Sequence, residues 1–466
     1  MSRINQYLLW FANENCDFRL PEIQSIIQLY NISVKWIEGP NDSPFWVVEL
    51  SYEDACTIAS RSVLLRSVIK LWGFGKTTDE LHDSIKNYPS ELISSKLKSD
   101  LSFCVNVETF GKTFTMKEKV DKIELFNYLP AQGPVKLNNP DVTLYYIEYY
   151  GLDPSNPPEN PYNFYFGHWV CDGQRSLISD YSLKKRKFIG NTSMDPQLSL
   201  IMANQALIKS GDIVMDPFVG SGSLLVAAAH FGAYVLGVDI DFLMLHGKSR
   251  PTRIQNRSKP RGEDESIYHN MKQYGKDSQY LDVIVGDSSL PFWHSRLQLD
   301  SIITDPPYGI REATERIGST KNYKISEDHL QGHIPSKIDY SLTDIYTDLL
   351  NFGAKHLKLN GRLVSWIPCH NSDYYSSTIP QHPCFKLVSN SQQPLTKQTS
   401  RKLVTWEKVK EVKSGEGSLV VKQFSGGFRD YYFNREETRK QRKARLAREY
   451  KEKNLDKYLL KEKNNF

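Results

Sequence analysis

Five consecutive residues, Asp305-Pro306-Pro307-Tyr308-Gly309, follow directly on a strand-forming stretch, Ser301-Ile302-Ile303-Thr304, and their types define a particular chemistry. Asp305 and the carbonyl oxygen of Pro306 make a pair of hydrogen-bond acceptors, the complement of an amine that carries two hydrogens. An amine attached to an aromatic base is a weak nucleophile, because its lone pair is delocalised into the ring. Two fixed acceptors localise that pair and aim it, so no strong base is needed. Pro306 supplies a carbonyl with no competing N–H, and Tyr308 presents a face on which an extruded base stacks. A purely structural turn is the poorer reading, since two prolines straight after a buried strand sacrifice backbone donors.

Such a group works at the carboxyl end of a parallel strand, beside a ligand crevice. Upstream, residues 213–217 (Ile-Val-Met-Asp-Pro) read as a short buried strand ending in Asp216, after which Phe218-Val219-Gly220-Ser221-Gly222-Ser223 turns into an Ala-rich helix at residues 224–231. Strand, glycine turn and helix in that order open a doubly wound α/β sheet. Gly220 and Gly222 let the backbone approach a ligand with no Cβ in the way. The next strand, residues 233–239, ends in Asp239, placed to accept hydrogen bonds from both hydroxyls of a ribose. Asp241 competes for that role, but Asp239 terminates the apolar run whereas Asp241 is placed to cap the next helix. A third strand runs to Asp287, either a further ligand contact or an acid that only closes the strand.

A glycine turn and a strand-end acid imply a nucleoside without separating nicotinamide dinucleotides from S-adenosylmethionine. The dinucleotide spacing G-x-G-x-x-G is incomplete, with Leu225 where the third glycine belongs. The acceptor group at residues 305–308 breaks the tie towards S-adenosylmethionine and methyl transfer to a base amine. Because the sulfonium charge disappears during transfer, Asp305 is not expected to remove a proton beforehand. The sheet should finish with a helix at residues 343–359 stopped by Gly361, a strand at 362–368, and an antiparallel pair at 385–389 and 402–406 joined through the Pro-containing loop 379–383.

The rest of the chain places this domain third. Residues 6–12, a helix at 20–30, strands at 32–38 and 45–51, a helix at 53–61 and a β-branched stretch at 63–71 make a β-α-β-β-α-β, ferredoxin-like order within residues 1–88. Gly73-Phe74-Gly75-Lys76 lacks the length of a phosphate loop and is expected to form a turn. Residues 89–180 hold a strand at 102–109, a helix at 116–128 and an aromatic-rich strand at 143–150. A linker at residues 181–194 leads into a catalytic domain at 195–430, and residues 431–466 form a basic C-terminal helix.

Composition limits the alternatives. The 466 residues exceed one ordinary core, with 39% hydrophobic and 24% charged residues typical of a soluble globular chain. No apolar run suits a bilayer span and the start lacks a signal peptide, so no membrane partner and a cytoplasmic location are expected. The six cysteines are scattered, with no C-x-x-C pair and no His at zinc-ligand spacing, so no metal site is indicated. The net charge of +5 leans towards a polyanion. Lys184-Lys185-Arg186-Lys187, in the linker, lies where an RNA backbone would pass if both flanking domains engaged it; the other reading is a solvated charge run. The basic insertion at 250–261 and the C-terminal helix, whose apolar stripe includes Leu446, Tyr450 and Leu459, carry the same two readings.

Val135-Lys136-Leu137-Asn138-Asn139-Pro140-Asp141-Val142, with the strand after it and the strand-Gly-helix before it, resembles a THUMP domain, an RNA-binding module of tRNA-modifying enzymes. The loop from Asp216 to Gly222 ahead of Asp305-Pro306-Pro307-Tyr308 resembles the class I amino-methyltransferases. With residues 181–194, 198–204 and Gly309-Ile310-Arg311-Glu312 added, the chain is similar to the eukaryotic tRNA guanosine-10 N2-methyltransferases over about residues 1–410. The resemblance implies a Rossmann-like methyltransferase domain behind ferredoxin-like and THUMP domains. It implies that Asp216, Gly220 and Gly222 border the cofactor, Asp239 holds its ribose, Asp287 meets its adenine amine, Thr192 and Ser193 lie beside its methionine part, and Asp305 with Tyr308 serves the base. It also implies a small zinc-binding activator as partner of the catalytic chain, in a heterodimer. Two other functions compete. One is a different base amino-methyltransferase, acting on guanine N2 of ribosomal RNA or on adenine N6. The other is a catalytically silent RNA-binding subunit, against which the intact Asp305 and Tyr308 argue.

Overall fold

The computed structural model describes residues 4–247, 261–310, 312–319, 335–371, 379–412 and 428. Arg311, all of the basic insertion except Arg261, and the C-terminal helix lie outside the described residues.

Seven strands of the N-terminal part share one sheet: β1 (Asn5–Phe11), β2 (Lys35–Glu38), β3 (Phe45–Leu50), β4 (Leu65–Gly75), β5 (Phe103–Phe110), β6 (Val142–Tyr149) and β7 (Asn163–Asp172). Their order is β2-β3-β1-β4-β7-β6-β5. Helices Arg19–Tyr30 and Tyr52–Ala59 complete the β-α-β-β-α-β order, the second opened by Ser51, whose side chain accepts from the Asp54 N–H. Strand β7, an aromatic run not anticipated from sequence, pairs antiparallel with both β4 and β6. The sheet therefore continues across residue 88. Gly167 makes the β4–β7 approach possible, because a Cβ there would run into the backbone of Lys70 and Leu71.

Gly73 and Gly75 do not form the expected turn. They lie inside β4, where a Cβ would strike Ile85 and Glu80 respectively, so their smallness lets helix Thr78–Lys86 lie close on the strand. The Asn139-Pro140-Asp141 turn is fastened by Asp141, whose carboxylate accepts from the backbone N–H of Ser102 at 2.9 Å. The sheet curls strongly: Phe45 of β3 and Phe110 of β5, near opposite ends of the strand order, have ring centroids 6.0 Å apart. Its concave face closes on itself through Trp10, Phe45, Tyr149 and Tyr165.

The second sheet contains β8 (Ile213–Asp216), β9 (Tyr234–Asp239), β10 (Tyr280–Val285) and β11 (Leu299–Thr304). A separate two-stranded sheet, β12 (Glu315–Ile317) with β13 (Lys337–Asp339), follows in the chain. β14 (Leu357–His370), β15 (Phe385–Pro394) and β16 (Thr399–Lys408) then finish the large sheet. Its order is β10-β9-β8-β11-β14-β16-β15, parallel from β10 to β14 and antiparallel at β16 and β15. Val214, Met215, Ile302 and Ile303 are fully buried, as strands covered on both faces require. Gly361 is not a helix stop. Helix Leu342–His356 passes directly into β14 at Leu357, and Gly361 sits where β14 bulges, a Cβ there meeting the Asp300 carbonyl at 2.8 Å. Among the described residues no helix is long and apolar enough to cross a membrane.

The two sheets are joined by a common core. Helix Arg19–Tyr30 packs on helix Pro196–Gln205, merging Phe11, Ile23 and Ile26 with Leu198, Ile201 and Ala203 in one buried cluster. Polar groups bolt this seam. Glu22 is fully buried, and its carboxylate accepts from Ser62 Oγ, the N–H groups of Val63 and Leu64, and Asn204 Nδ2. The Arg61 guanidinium donates to Asn204 Oδ1 and the Ile208 carbonyl and lies 3.6 Å from the Phe231 ring.

Candidate active site

The strand order reverses between β8 and β11, so the carboxyl ends of those neighbours open onto a crevice, the ordinary ligand position of a doubly wound sheet. A cavity of about 990 Å³ lies there, within the usual range for a small-molecule site. Asp216 ends β8 and is buried; its Oδ1 accepts from Thr304 Oγ1 at 2.7 Å and the Phe218 N–H at 3.0 Å, tying the two strand ends together. Gly220 and Gly222 have φ of 50° and 77°, the left-handed region that glycine enters without strain, and a Cβ on Gly222 would lie 2.7 Å from Ile267. Asp239 ends β9, accepting from the Gly220 N–H at 2.8 Å and the Asp241 N–H at 2.9 Å, so it braces the glycine loop as well as lining the cavity. Asp241 caps helix Phe242–Leu245, accepting from the Met244 N–H.

Asp287 stands two residues beyond the end of β10. It is buried, its oxygens accepting from the N–H groups of Ser289 and Ile317. Thr192 and Ser193 form another wall: Thr192 Oγ1 reaches Glu312 at 3.4 Å, and Ser193 Oγ accepts from the Gly190 N–H at 2.7 Å and meets Ser221 Oγ. Asp305, Pro306 and Tyr308 line the same cavity. The Tyr308 hydroxyl donates to Asp305 Oδ1, so this residue adds a polar contact to the stacking face read from sequence. Burial pushes the Asp305 carboxyl above its ordinary range, and the Arg401 guanidinium, 3.3 Å from Oδ2, pulls against that.

The Lys184–Lys187 run divides. Lys184, Lys185 and Lys187 are exposed, Lys187 pairing with Asp264 at 2.8 Å. Arg186 points inward, which corrects its assignment as an RNA contact. It is buried, donating to Ser223 Oγ at 2.9 Å and to the Tyr181 carbonyl, a better outlet for its five donors than solvent on a chain already packed there. Phe188 is buried as well, its backbone exchanging two hydrogen bonds with the Asn270 side chain, so the expected linker is docked along the catalytic domain.

Sequence reasoning missed Thr304, Arg401 and the reach of the N-terminal module. Glu14 and Asn15 line the cavity, and Glu14 bridges Arg175 and Gln197 at 2.8 Å each. Nothing in its own strand singles out Arg401, since Lys402, Glu407 and Lys408 of Thr399–Lys408 are charged as well.

The cavity's charge is a test of what it holds. Asp216, Asp239, Asp241, Asp287, Asp305 and Glu312 line it, with Lys337 and Arg401 as its basic members among the described residues. A cationic sulfonium fits that donor set, whereas a dinucleotide pyrophosphate would face a wall of like charge. The same crowding shows in Asp216, whose carboxyl is pushed up to about 7, by burial first and then by Asp239 and Asp305. The folded-state value lies above the unfolded one, so the ionised carboxylate costs stability fully above about pH 7 and nothing once both states are protonated. Asp216→Asn keeps an oxygen for both hydrogen bonds and removes the charge. In the cofactor-free chain it should raise the melting temperature by a few degrees at about pH 8, with the gain vanishing towards about pH 4. A gain that grew on acidification would contradict this account.

A parallel sheet with a glycine loop at its reversal point, an acceptor group one strand away, and an attached THUMP module define a Rossmann-like, S-adenosylmethionine-dependent methyltransferase. A family model described as the Tmrp11 THUMP N-terminal domain matches residues 5–175, and one described as an RMKL-like methyltransferase domain matches residues 184–325. The chain belongs to the tRNA (guanine(10)-N(2))-methyltransferase family. It is 47% identical over 441 residues to tRNA (guanine(10)-N(2))-methyltransferase TRMT11 of Bos taurus, covering 92% of this chain and 95% of that protein. It is 34% identical over 452 residues to the protein of that name from Dictyostelium discoideum, covering 91% and 86% respectively.

Proposed function

We propose that this chain methylates the exocyclic N2 amine of guanosine at position 10 of tRNA, the reaction for which its relatives are named. The observation that carries the reading is the placement of Asp305 and Tyr308 at the rim of one cavity with the glycine loop, at the reversal point of the sheet. S-adenosylmethionine supplies a methyl group on a positively charged sulfur, open to in-line displacement by an amine. Asp216, Gly220 and Gly222 border the cofactor, Asp239 receives its ribose hydroxyls through the lone pairs left free by the glycine loop, Asp287 receives its adenine amine, and Thr192 and Ser193 flank its methionine end. Asp305 and the Pro306 carbonyl accept hydrogen bonds from the guanine amine and localise its lone pair, while the Tyr308 ring holds the base; as the N–C bond forms and the S–C bond breaks, the proton shed by the alkylated nitrogen passes to Asp305 and on to solvent. Residues 1–180 grip the RNA, and exposed Lys184, Lys185 and Lys187 follow its backbone.

The small zinc-binding activator belongs to the same reading. Edge strand β10 exposes Leu281 and Val285, and Tyr268 and Phe292 beside it are also exposed, an apolar border of the kind a partner strand covers. None of the six cysteines is in a disulfide, which suits the cytoplasm. The test is to incubate the purified chain, with and without such a companion, with undermodified tRNA and labelled cofactor, and to map the product. N2-methylguanosine at position 10, formed efficiently only with the companion, is the expected result. Label in adenine or only in ribosomal RNA would overturn the substrate; full activity of the chain alone would overturn the partner.

A further inference from the structure

β16 runs against its neighbour β14, and that reversal puts the start of β16, not its end, at the rim where the parallel strands present their carboxyl ends. Arg401 stands at that start, opposite Pro368 of β14 and Gln393 of β15. Its guanidinium is held on every side. Nε donates to Gln393 Oε1 at 2.8 Å, the planar group lies 4.0 Å from the Trp366 ring centroid, Nη2 approaches Met194 Sδ at 3.7 Å, and Nη1 donates to Asp305 Oδ2 at 3.3 Å. The Arg401 and Asp305 side chains are only 14% and 21% exposed, so solvent screens this pair far less than a surface one.

We propose that Arg401 is a positioning residue for methyl transfer, keeping Asp305 ionised and its carboxylate turned towards the incoming base. The proposal rests on the reading that Asp305 accepts the amine hydrogens. A protonated Asp305 would offer a donor in place of an acceptor and repel the group it must receive. Its surroundings favour that wrong state. Burial disfavours the charge and Asp216 at the end of β8 adds a like charge, while Tyr346 of helix Leu342–His356 brings no positive charge and Tyr308 of its own turn favours the ionised form only through a neutral hydrogen bond. Arg401 is the cation facing Asp305 among the described residues, and it and Tyr308 fix one carboxylate through different oxygens.

The experiment measures single-turnover methyl transfer to tRNA by the full chain, with its companion if one is required, from about pH 6 to about pH 9 for the parent, Arg401→Gln and Arg401→Lys. Removing the charge raises the Asp305 pKa, so the acid limb of the rate profile should move up by about one pH unit in Arg401→Gln. Below the acid limb of both proteins the rate should fall by up to about 10-fold, with the deficit shrinking as pH rises. Arg401→Lys should recover most of the rate, and affinities for cofactor and tRNA should stay within a few-fold. An unmoved acid limb would overturn the proposal, as would a loss confined to the KM for tRNA, the mark of a phosphate contact, or a lysine variant no better than glutamine. The lysine variant keeps the test readable if the glutamine variant melts early. Asp305→Asn, measured in parallel, separates the two levels: full turnover there refutes the role of Asp305 itself, whereas its loss beside a wild-type profile in Arg401→Gln refutes only Arg401.

Discussion

Asp305→Asn should lower the single-turnover rate of methyl transfer by about three orders of magnitude while leaving cofactor and tRNA affinity within a few-fold. The substitution keeps the shape of the side chain but turns one oxygen into an NH2 group. The Tyr308 hydroxyl and the Arg401 guanidinium both donate to this carboxylate, through different oxygens; Arg401 can only donate and so holds the amide oxygen, which turns the NH2 group towards Tyr308, whose hydroxyl can accept, and removes the negative charge. The amine then loses one fixed acceptor, and its lone pair stays in the ring. Because the change touches the reacting group and not the glycine loop, calorimetry with S-adenosylhomocysteine should find binding almost unaltered. A variant that turned over within ten-fold of the parent would leave the proposed chemistry without its central group.

Glu22→Ala should be the most damaging substitution away from the cavity, costing about 3–5 kcal/mol of stability. Glu22 is 0% exposed and satisfies four donors from three places: the Ser62 hydroxyl, two consecutive backbone N–H groups, and Asn204 of the catalytic domain. Alanine strands all four in a dry seam. Burial raises the Glu22 pKa, yet its partners are all donors, and that geometry favours the ionised form. Glu22→Gln is therefore no conservative rescue, since one of its two ends would present hydrogens to donors. Thermal melting is the measurement, with a fall of roughly 5–10 °C expected for alanine. A loss of under about 1 kcal/mol would mean that the seam relaxes or admits water freely, and that its polar bolt matters little.

Much of the catalytic half is legible from sequence because its signals are local. β8, the glycine loop and helix Ser223–His230 show themselves as a buried apolar strand, two glycines and an alanine-rich run, and the Asp305-Pro306-Pro307-Tyr308 group has few structural excuses. What escaped depends on partners distant in the chain. β7 was missed although Phe164, Tyr165, Phe166, Trp169 and Val170 are strand formers; what Asn163–Asp172 does not announce is that it pairs with both β4 and β6. Gly73 and Gly75 are explained by a helix that lies across them, and Gly361 by the neighbouring strand at Asp300. Arg186 sits in a basic run that reads as surface, yet a single hydroxyl on Ser223 and a carbonyl on Tyr181 draw it inside. Arg401 becomes meaningful only once the antiparallel direction of β16 is known, since a parallel strand would have carried it to the far side of the sheet.

The buried seam between helix Arg19–Tyr30 and helix Pro196–Gln205 has one further consequence. Two bodies that share a hydrophobic interior have no hinge at that place, so the span from the curled aromatic sheet to the reacting carboxylate is a built-in length. On the proposed reading that residues 1–180 hold the RNA, that fixed span chooses by distance which nucleotide reaches Asp305, before any base is read.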